Sequence, residues 1–257
     1  MSMKKPNIIM ILADDMGAWA MRCAGNGDII TDNLDRLAAS GMRFDDFFCV
    51  SPVCSPARAS ILTGTIPSVH GVHDWLRSGN LDRDKLGDLA GDVYYKDEKE
   101  AIRYLEHHEC YSDLLAAAGY SCALCGKWHL GDSRKKQHGF SRWFTIGRGG
   151  CGYYRADIVD GDRLYISDEY VTDTITDKAL GFLDELSQED APFYLSVHYT
   201  SPHSPWDEDQ HPVDVYSRYD GCSFSATPDL PLNKHQVKSA PYGEGEERKR
   251  LLRGYYS

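Results

Sequence analysis

Two adjacent carboxylates, Asp14 and Asp15, stand directly after an apolar run at residues 7–13. Their mutual repulsion calls for a cation, and carboxylate oxygens suit hard divalent ions such as Ca²⁺ or Mg²⁺. Two carboxylates do not fill an oxygen shell, so further ligands are required. Further along, Cys54-Ser55-Pro56-Ala57-Arg58-Ala59-Ser60-Ile61-Leu62-Thr63-Gly64 reads as a helix, with Ser55 or Cys54 as N-cap, Pro56 in the first turn and Gly64 as the stop. Cys54 then meets the positive end of the helix dipole, and Arg58, four residues on, shares its face. A nucleophile beside a fixed cation suits attack on an anionic ester. Lys127 offers a compact charge for a tetrahedral anion, and His129, two residues along, points the same way on an extended backbone. His203, flanked by Pro202 and Pro205, follows a strand in a stiff setting suited to proton transfer or to holding an ester oxygen. Taken singly, each has an ordinary role: a solvated acid pair, a small buried hydrophobe, a solvated lysine or histidine.

These residues need elements to hold them. The run at 7–13 has the composition of a strand buried on both faces of a mostly parallel sheet. Thr31 or Asp32 starts a helix carrying Leu34, Leu37 and Ala38, with Gly41 as its stop and a strand-like stretch at 42–50 beyond. A second amphipathic helix, 110–118, carries Leu114 and Leu115, ends at Gly119 and feeds a strand at 120–124. A third, 170–186, spaces Val171, Ile175, Phe182, Leu183 and Leu186 near the helical period, after which Pro192 introduces a strand at 193–199. Repeated helix-then-strand order predicts an α/β fold with a mostly parallel central sheet and helices on both faces. In such sheets, sites form beyond the carboxyl ends of the strands. Two segments, 81–109 and 202–241, interrupt the rhythm and read as surface insertions.

Other motifs carry less. Cys122-x-x-Cys125 has no second pair at zinc-site spacing and reads as thiols on a buried strand. Gly147-Arg148-Gly149-Gly150 lacks both the phosphate-loop lysine and the dinucleotide fingerprint, and is expected to be a flexible loop. His70, His73, Asp74 and Trp75 follow the Cys54 helix closely enough to line its pocket, where an aromatic and an acid would select a leaving group. Core packing is the commoner role for such a tryptophan.

The whole chain sets the bounds. At 257 residues, 42% hydrophobic and 26% charged, it has globular composition and enough length for a large core. A net charge of -11 argues against broad binding to nucleic acid or to an acidic membrane surface, so an anionic ligand must be caught locally. The N-terminus lacks the apolar length and small-residue site of a signal peptide, which reads as cytoplasmic unless a leader has been trimmed. The eight cysteines are then reduced thiols.

The spacing Cys54-x-Pro56-x-Arg58, followed by Thr63-Gly64, resembles the signature of the type I sulfatases, members of the alkaline phosphatase superfamily. Supporting matches follow along the chain: Pro6-Asn7-Ile8 through Asp14-Asp15, Gly126-Lys127-Trp128-His129-Leu130-Gly131, and Ser201-Pro202-His203-Ser204-Pro205-Trp206. The resemblance implies that a maturation enzyme converts Cys54 to formylglycine. It implies that Asp14, Asp15 and the modified Cys54 ligate a divalent ion, with Ca²⁺ favoured over Mg²⁺. The hydrated aldehyde would attack sulfur, Lys127, Arg58 and the metal offsetting charge while Lys127 and His203 bind the sulfate ester and His203 assists the leaving group. His129 is the implied base for collapse back to the aldehyde with loss of sulfate.

The expected activity is therefore hydrolysis of a small-molecule or carbohydrate sulfate ester. The rivals are a phosphate or phosphonate ester hydrolase of the same superfamily and a non-catalytic anion-binding fragment. Sulfatases also draw a further metal-binding acid and a second active-site lysine from a strand beyond the helix that begins near Glu246. On that resemblance residues 1–257 are expected to be the N-terminal catalytic portion of an alkaline-phosphatase-like domain, weak in metal binding and turnover by themselves.

Overall fold

The computed structural model describes residues 4–231 and 241–257. In chain order it contains β1 (Ile8–Leu12), α1 (Asp32–Ser40), α2 (Cys54–Thr63), α3 (Pro67–His70), α4 (Tyr111–Ala117), β2 (Ser121–Gly126), β3 (Phe140–Ile146), β4 (Ala156–Asp160), β5 (Arg163–Ser167), α5 (Val171–Ser187), β6 (Phe193–His198), α6 (Val213–Tyr216) and α7 (Gly245–Tyr256). The chain forms two compact units. One comprises Met1–Ala13 and Cys49–Thr200, the other Asp14–Phe48 and Ser201–Ser257. Of the segment at 202–241, residues 232–240 lie outside the described residues.

The first unit is built on a six-stranded sheet in the order β1-β6-β2-β3-β4-β5. β1, β6, β2 and β3 pair in parallel, whereas β4 pairs antiparallel with both β3 and β5. The β4–β5 link is a tight turn at Gly161-Asp162, with Gly161 at φ 60°. Alternation along β2 divides the core in two. Ala123 and Cys125 join the α5 side chains Val171, Ile175, Phe182 and Leu186 on one face. Cys122 and Leu124 join Ala59 and Leu62 of α2, with Trp128 and Trp143, on the other. Helices thus cover both faces, and each large α5 side chain buried there contributes about 1.5–3 kcal/mol. The same alternation sends the two thiols of Cys122-x-x-Cys125 to opposite faces, so they do not act as a chelating pair. Burial pushes the Cys122 thiol up to about 11 and the Cys125 thiol higher still.

β1 departs from the expectation of a strand buried on both faces. It is the sheet's edge among the described residues, and Ile9 and Ile11 are 50% and 65% exposed. The strand expected at 42–50 does not form either. Most of that stretch belongs to the second unit, whose described residues contain no strand to pair with it, and apolar content without a hydrogen-bonding neighbour does not make one.

The 81–109 segment contributes to the interior as well as to the surface. Leu81, Leu86 and Tyr95 pack with Val159 of β4. Glu98 is also buried, and its Oε2 accepts the N–H groups of Gly79, Asn80 and Leu81 at 2.9, 3.0 and 3.2 Å. The second unit packs Ile29, Tyr219 and Phe224 with Leu252 and Tyr256 of α7.

Candidate active site

In the first unit, α2 begins at Cys54 itself, with Val53 rather than Ser55 or Cys54 in the N-cap position. Pro56 falls in the first turn, where its missing N–H is not needed by the helix ladder. Ser55 is free of capping duty, and its Oγ accepts the Leu76 N–H at 3.2 Å. Gly64 closes the helix at φ 66°, donating to the Ser60 carbonyl. Cys54 is half-buried and Arg58 is 3% exposed.

Arg58 Nη1 donates to the Lys127 carbonyl oxygen at 2.8 Å and lies 3.1 Å from His198 Nδ1. His198 was not singled out from sequence. It ends β6, and its Nε2 lies 2.7 Å from Ser196 Oγ, which accepts from the Tyr194 hydroxyl at 2.9 Å. A buried guanidinium is therefore held between the end of β2 and the end of β6. The signal for His198 was its place at the carboxyl end of a mostly apolar strand.

Lys127 follows β2 through Gly126, whose φ is 106°. A Cβ on Gly126 would meet the His198 carbonyl oxygen at 1.9 Å, so only glycine permits the close approach of β2 to β6 here. Beyond it Trp128 and Leu130 enter the core, while Lys127 and His129 are buried outside that cluster. The backbone is not extended throughout, because His129 takes the left-handed φ of 56°. Its Nε2 lies 3.0 Å from the Leu76 carbonyl oxygen. One loop residue thus meets both the residue after Cys54 and His129.

The glycine-rich segment expected to be a flexible loop also contacts this histidine. A Cβ on Gly149 would stand 2.0 Å from His129 Nε2, so the Gly149 backbone lies against the imidazole. Arg148 anchors that approach: Nε and Nη2 donate to the two oxygens of buried Asp157 at 2.9 and 3.2 Å, and the guanidinium covers the Tyr95 ring at 4.7 Å. His70 is structural. Its Nδ1 accepts the Val72 N–H at 3.1 Å, its Nε2 lies 2.9 Å from Ser60 Oγ, and burial holds it below the usual histidine value.

In the second unit, Asp14 is 5% exposed and its N–H donates to the Ser201 carbonyl at 3.0 Å. Asp15 adopts φ 60°, and its carbonyl accepts from the Tyr255 hydroxyl at 3.1 Å. His203 Nε2 lies 3.5 Å from Asp15 Oδ2, so the acid pair and the histidine predicted from sequence are brought together in this unit. Adjacent carboxylates, one of them buried, are a donor set that fits a hard divalent ion. A different trio, Cys110, Asp113 and His138, also clusters in the first unit. There the Asp113 carboxylate accepts the Cys110 N–H at 2.9 Å in a box that starts α4, and burial pushes the Cys110 thiol up to about 12, far from the thiolate a metal needs.

Among the described residues, no helix is long and apolar enough to cross a membrane. Comparison with known proteins places these features in a family. Over 205 residues the chain is 33% identical to N-acetylglucosamine-6-O-sulfatase of Bacteroides thetaiotaomicron, covering 79% of this chain and 32% of that protein. Over 152 residues it is 36% identical to human steryl-sulfatase, covering 55% of this chain and 24% of that one. The chain therefore spans about a third or less of the length of these relatives. A solved structure of a protein in complex with its substrate D-glucosamine-2-N,6-O-disulfate aligns with TM-score 0.62 and 33% identity over 79% of this chain and 36% of that chain. A Bacteroides fragilis structure shares the fold over the full length of this chain and 56% of its own, with TM-score 0.73 at 23% identity. The fold is that of the alkaline-phosphatase-like sulfatases. Residues 6–240 match the sequence profile of the family Sulfatase, and the chain belongs to that family.

Proposed function

We propose that the protein carrying this chain hydrolyses sulfate esters of carbohydrates, releasing inorganic sulfate. The observation that carries the reading is the buried link from Arg58 to the Lys127 carbonyl, which ties the helix that starts at Cys54 to the segment bearing Lys127 and His129. The relatives named for sulfated amino sugars favour a carbohydrate leaving group.

On this reading Asp14 and Asp15 hold a divalent ion, Ca²⁺ in preference to Mg²⁺, and Cys54 is the residue that a maturation enzyme oxidises to formylglycine. When bound, the ion would supply a Lewis acid, and the hydrated aldehyde would supply the attacking oxygen. Arg58 and Lys127 present fixed positive charge toward developing negative charge on sulfate, and cost little reorganisation because both are buried and held. His203 donates a proton to the departing alcohol oxygen from Nε2, with the Ser204 carbonyl 2.7 Å from Nδ1 to orient the ring. His129 takes the proton whose loss releases sulfate and regenerates the aldehyde. Residues 1–257 then supply the nucleophile and two metal ligands of a sulfatase catalytic domain.

The test uses the polypeptide of the complete reading frame, co-expressed with a formylglycine-generating enzyme. Mass analysis of the Cys54 peptide is expected to show the aldehyde, and an aryl sulfate is expected to turn over at least 100-fold faster than the matching aryl phosphate. An unmodified thiol in active protein, or preference for the phosphate, would overturn the reading.

A further inference from the structure

The segment that follows α3, residues 71–80, is pinned at successive residues to the segments just described. Leu76 donates to Ser55 Oγ and its carbonyl meets His129 Nε2. The Ser78 carbonyl accepts from the Tyr104 hydroxyl at 3.2 Å, and Glu98 takes the N–H groups of Gly79 and Asn80. A loop held this firmly fixes whatever its exposed side chains present. Those are His73, Asp74, Trp75 and Arg77, on either side of half-buried Leu76.

Trp75 does not join the core, its expected role. It is 46% exposed, its ring stands edge-on to the His129 ring at 5.9 Å, and the Arg77 guanidinium lies 6.0 Å from its centre. Asp74 Oδ1 accepts the Trp75 N–H at 2.7 Å, which turns the backbone beneath the indole. An exposed indole keeps a large apolar face in water, and its negative π-face attracts the slightly positive C–H groups on one side of a pyranose ring. Arg77 brings a cation beside the indole in a protein whose net charge is -11. A fixed cation beside the indole favours a substrate that carries an anionic group next to its ring.

We propose that Trp75 and Arg77 form the leaving-group subsite for an acidic sugar, Trp75 stacking on the ring that carries the scissile sulfate and Arg77 pairing with a second anionic substituent. This deepens the sulfatase reading and rests on it.

The experiment measures steady-state kinetics of the complete, matured protein on a monosulfated hexosamine, its disulfated counterpart and an aryl sulfate. Trp75→Ala is expected to raise KM for both sugars about tenfold with kcat within about threefold, and Trp75→Phe to restore most of the loss, the pattern of a uniform binding contact. Arg77→Gln is expected to remove a preference of about tenfold for the disulfated sugar while changing the monosulfated one less than about twofold. A fall in kcat at unchanged KM for Trp75→Ala would make Trp75 a packing support of His129 and overturn the proposal, as would unchanged kinetics in both variants. Failure of the unsubstituted protein to turn over the aryl sulfate would instead strike the sulfatase reading itself.

Discussion

Arg58 donates its Nη1 hydrogen to the carbonyl oxygen of Lys127 at 2.8 Å, from a side chain that is 3% exposed. The bond joins α2 to the end of β2 and fixes where a cation and the Lys127 backbone stand.

Removing that guanidinium has two separable effects. Arg58→Ala strips a buried carbonyl of a charged donor, and is expected to lower stability by about 2–3 kcal/mol in urea denaturation. Arg58→Lys keeps a charge but loses the Nη1 that meets both the Lys127 carbonyl and His198 Nδ1, so turnover is expected to fall at least about 100-fold with a smaller loss of stability. Equal activity in Arg58→Lys and the unsubstituted protein would contradict the role given to the guanidinium Nη1.

Neighbouring glycines give a paired test. Ala at position 149 would place Cβ 2.0 Å from His129 Nε2, whereas at position 150 nothing lies within 4 Å. Gly149→Ala is expected to cost about 100-fold in kcat by displacing the imidazole, and Gly150→Ala less than about twofold. Similar kinetics for the two variants would show that contact with Gly149 does not position His129.

Two buried histidines set an acid limit on stability. Burial holds His70 and His211 below their ordinary value, so the unfolded chain binds protons that the folded one refuses. Their contribution is complete above histidine's unfolded value of about 6.5 and is lost as pH falls below it toward their folded values. Denaturation midpoints are expected to fall as pH drops below about 6.5, with a shallower fall in His70→Gln. An identical slope in that variant would remove His70 from the account.

Much of this was legible in the sequence because it follows from local rules. The α5 stripe of Val171, Ile175, Phe182 and Leu186, the stop at Gly41 and the helix opening at Cys54 depend on period and on termini, and all are present. The β4–β5 hairpin carries its signal in Gly161-Asp162 but lies outside the helix-then-strand rhythm. What the sequence hides is reach across the chain. Gly149 against His129, Glu98 beneath Gly79 to Leu81, and His198 beside Arg58 join residues whose chain spacing carries no period. Each is a single contact that only the folded sheet creates. The run at 42–50 shows the converse, since a strand needs a neighbour that no local rule supplies.

The central claim is that Cys54 provides the nucleophile for sulfate-ester hydrolysis. Its most direct test is sulfate release from an aryl sulfate by the complete, maturation-competent protein, compared with Cys54→Ala. The account predicts steady turnover in the first and none above background in the second, with unchanged thermal unfolding. Substantial sulfate release by Cys54→Ala would contradict it.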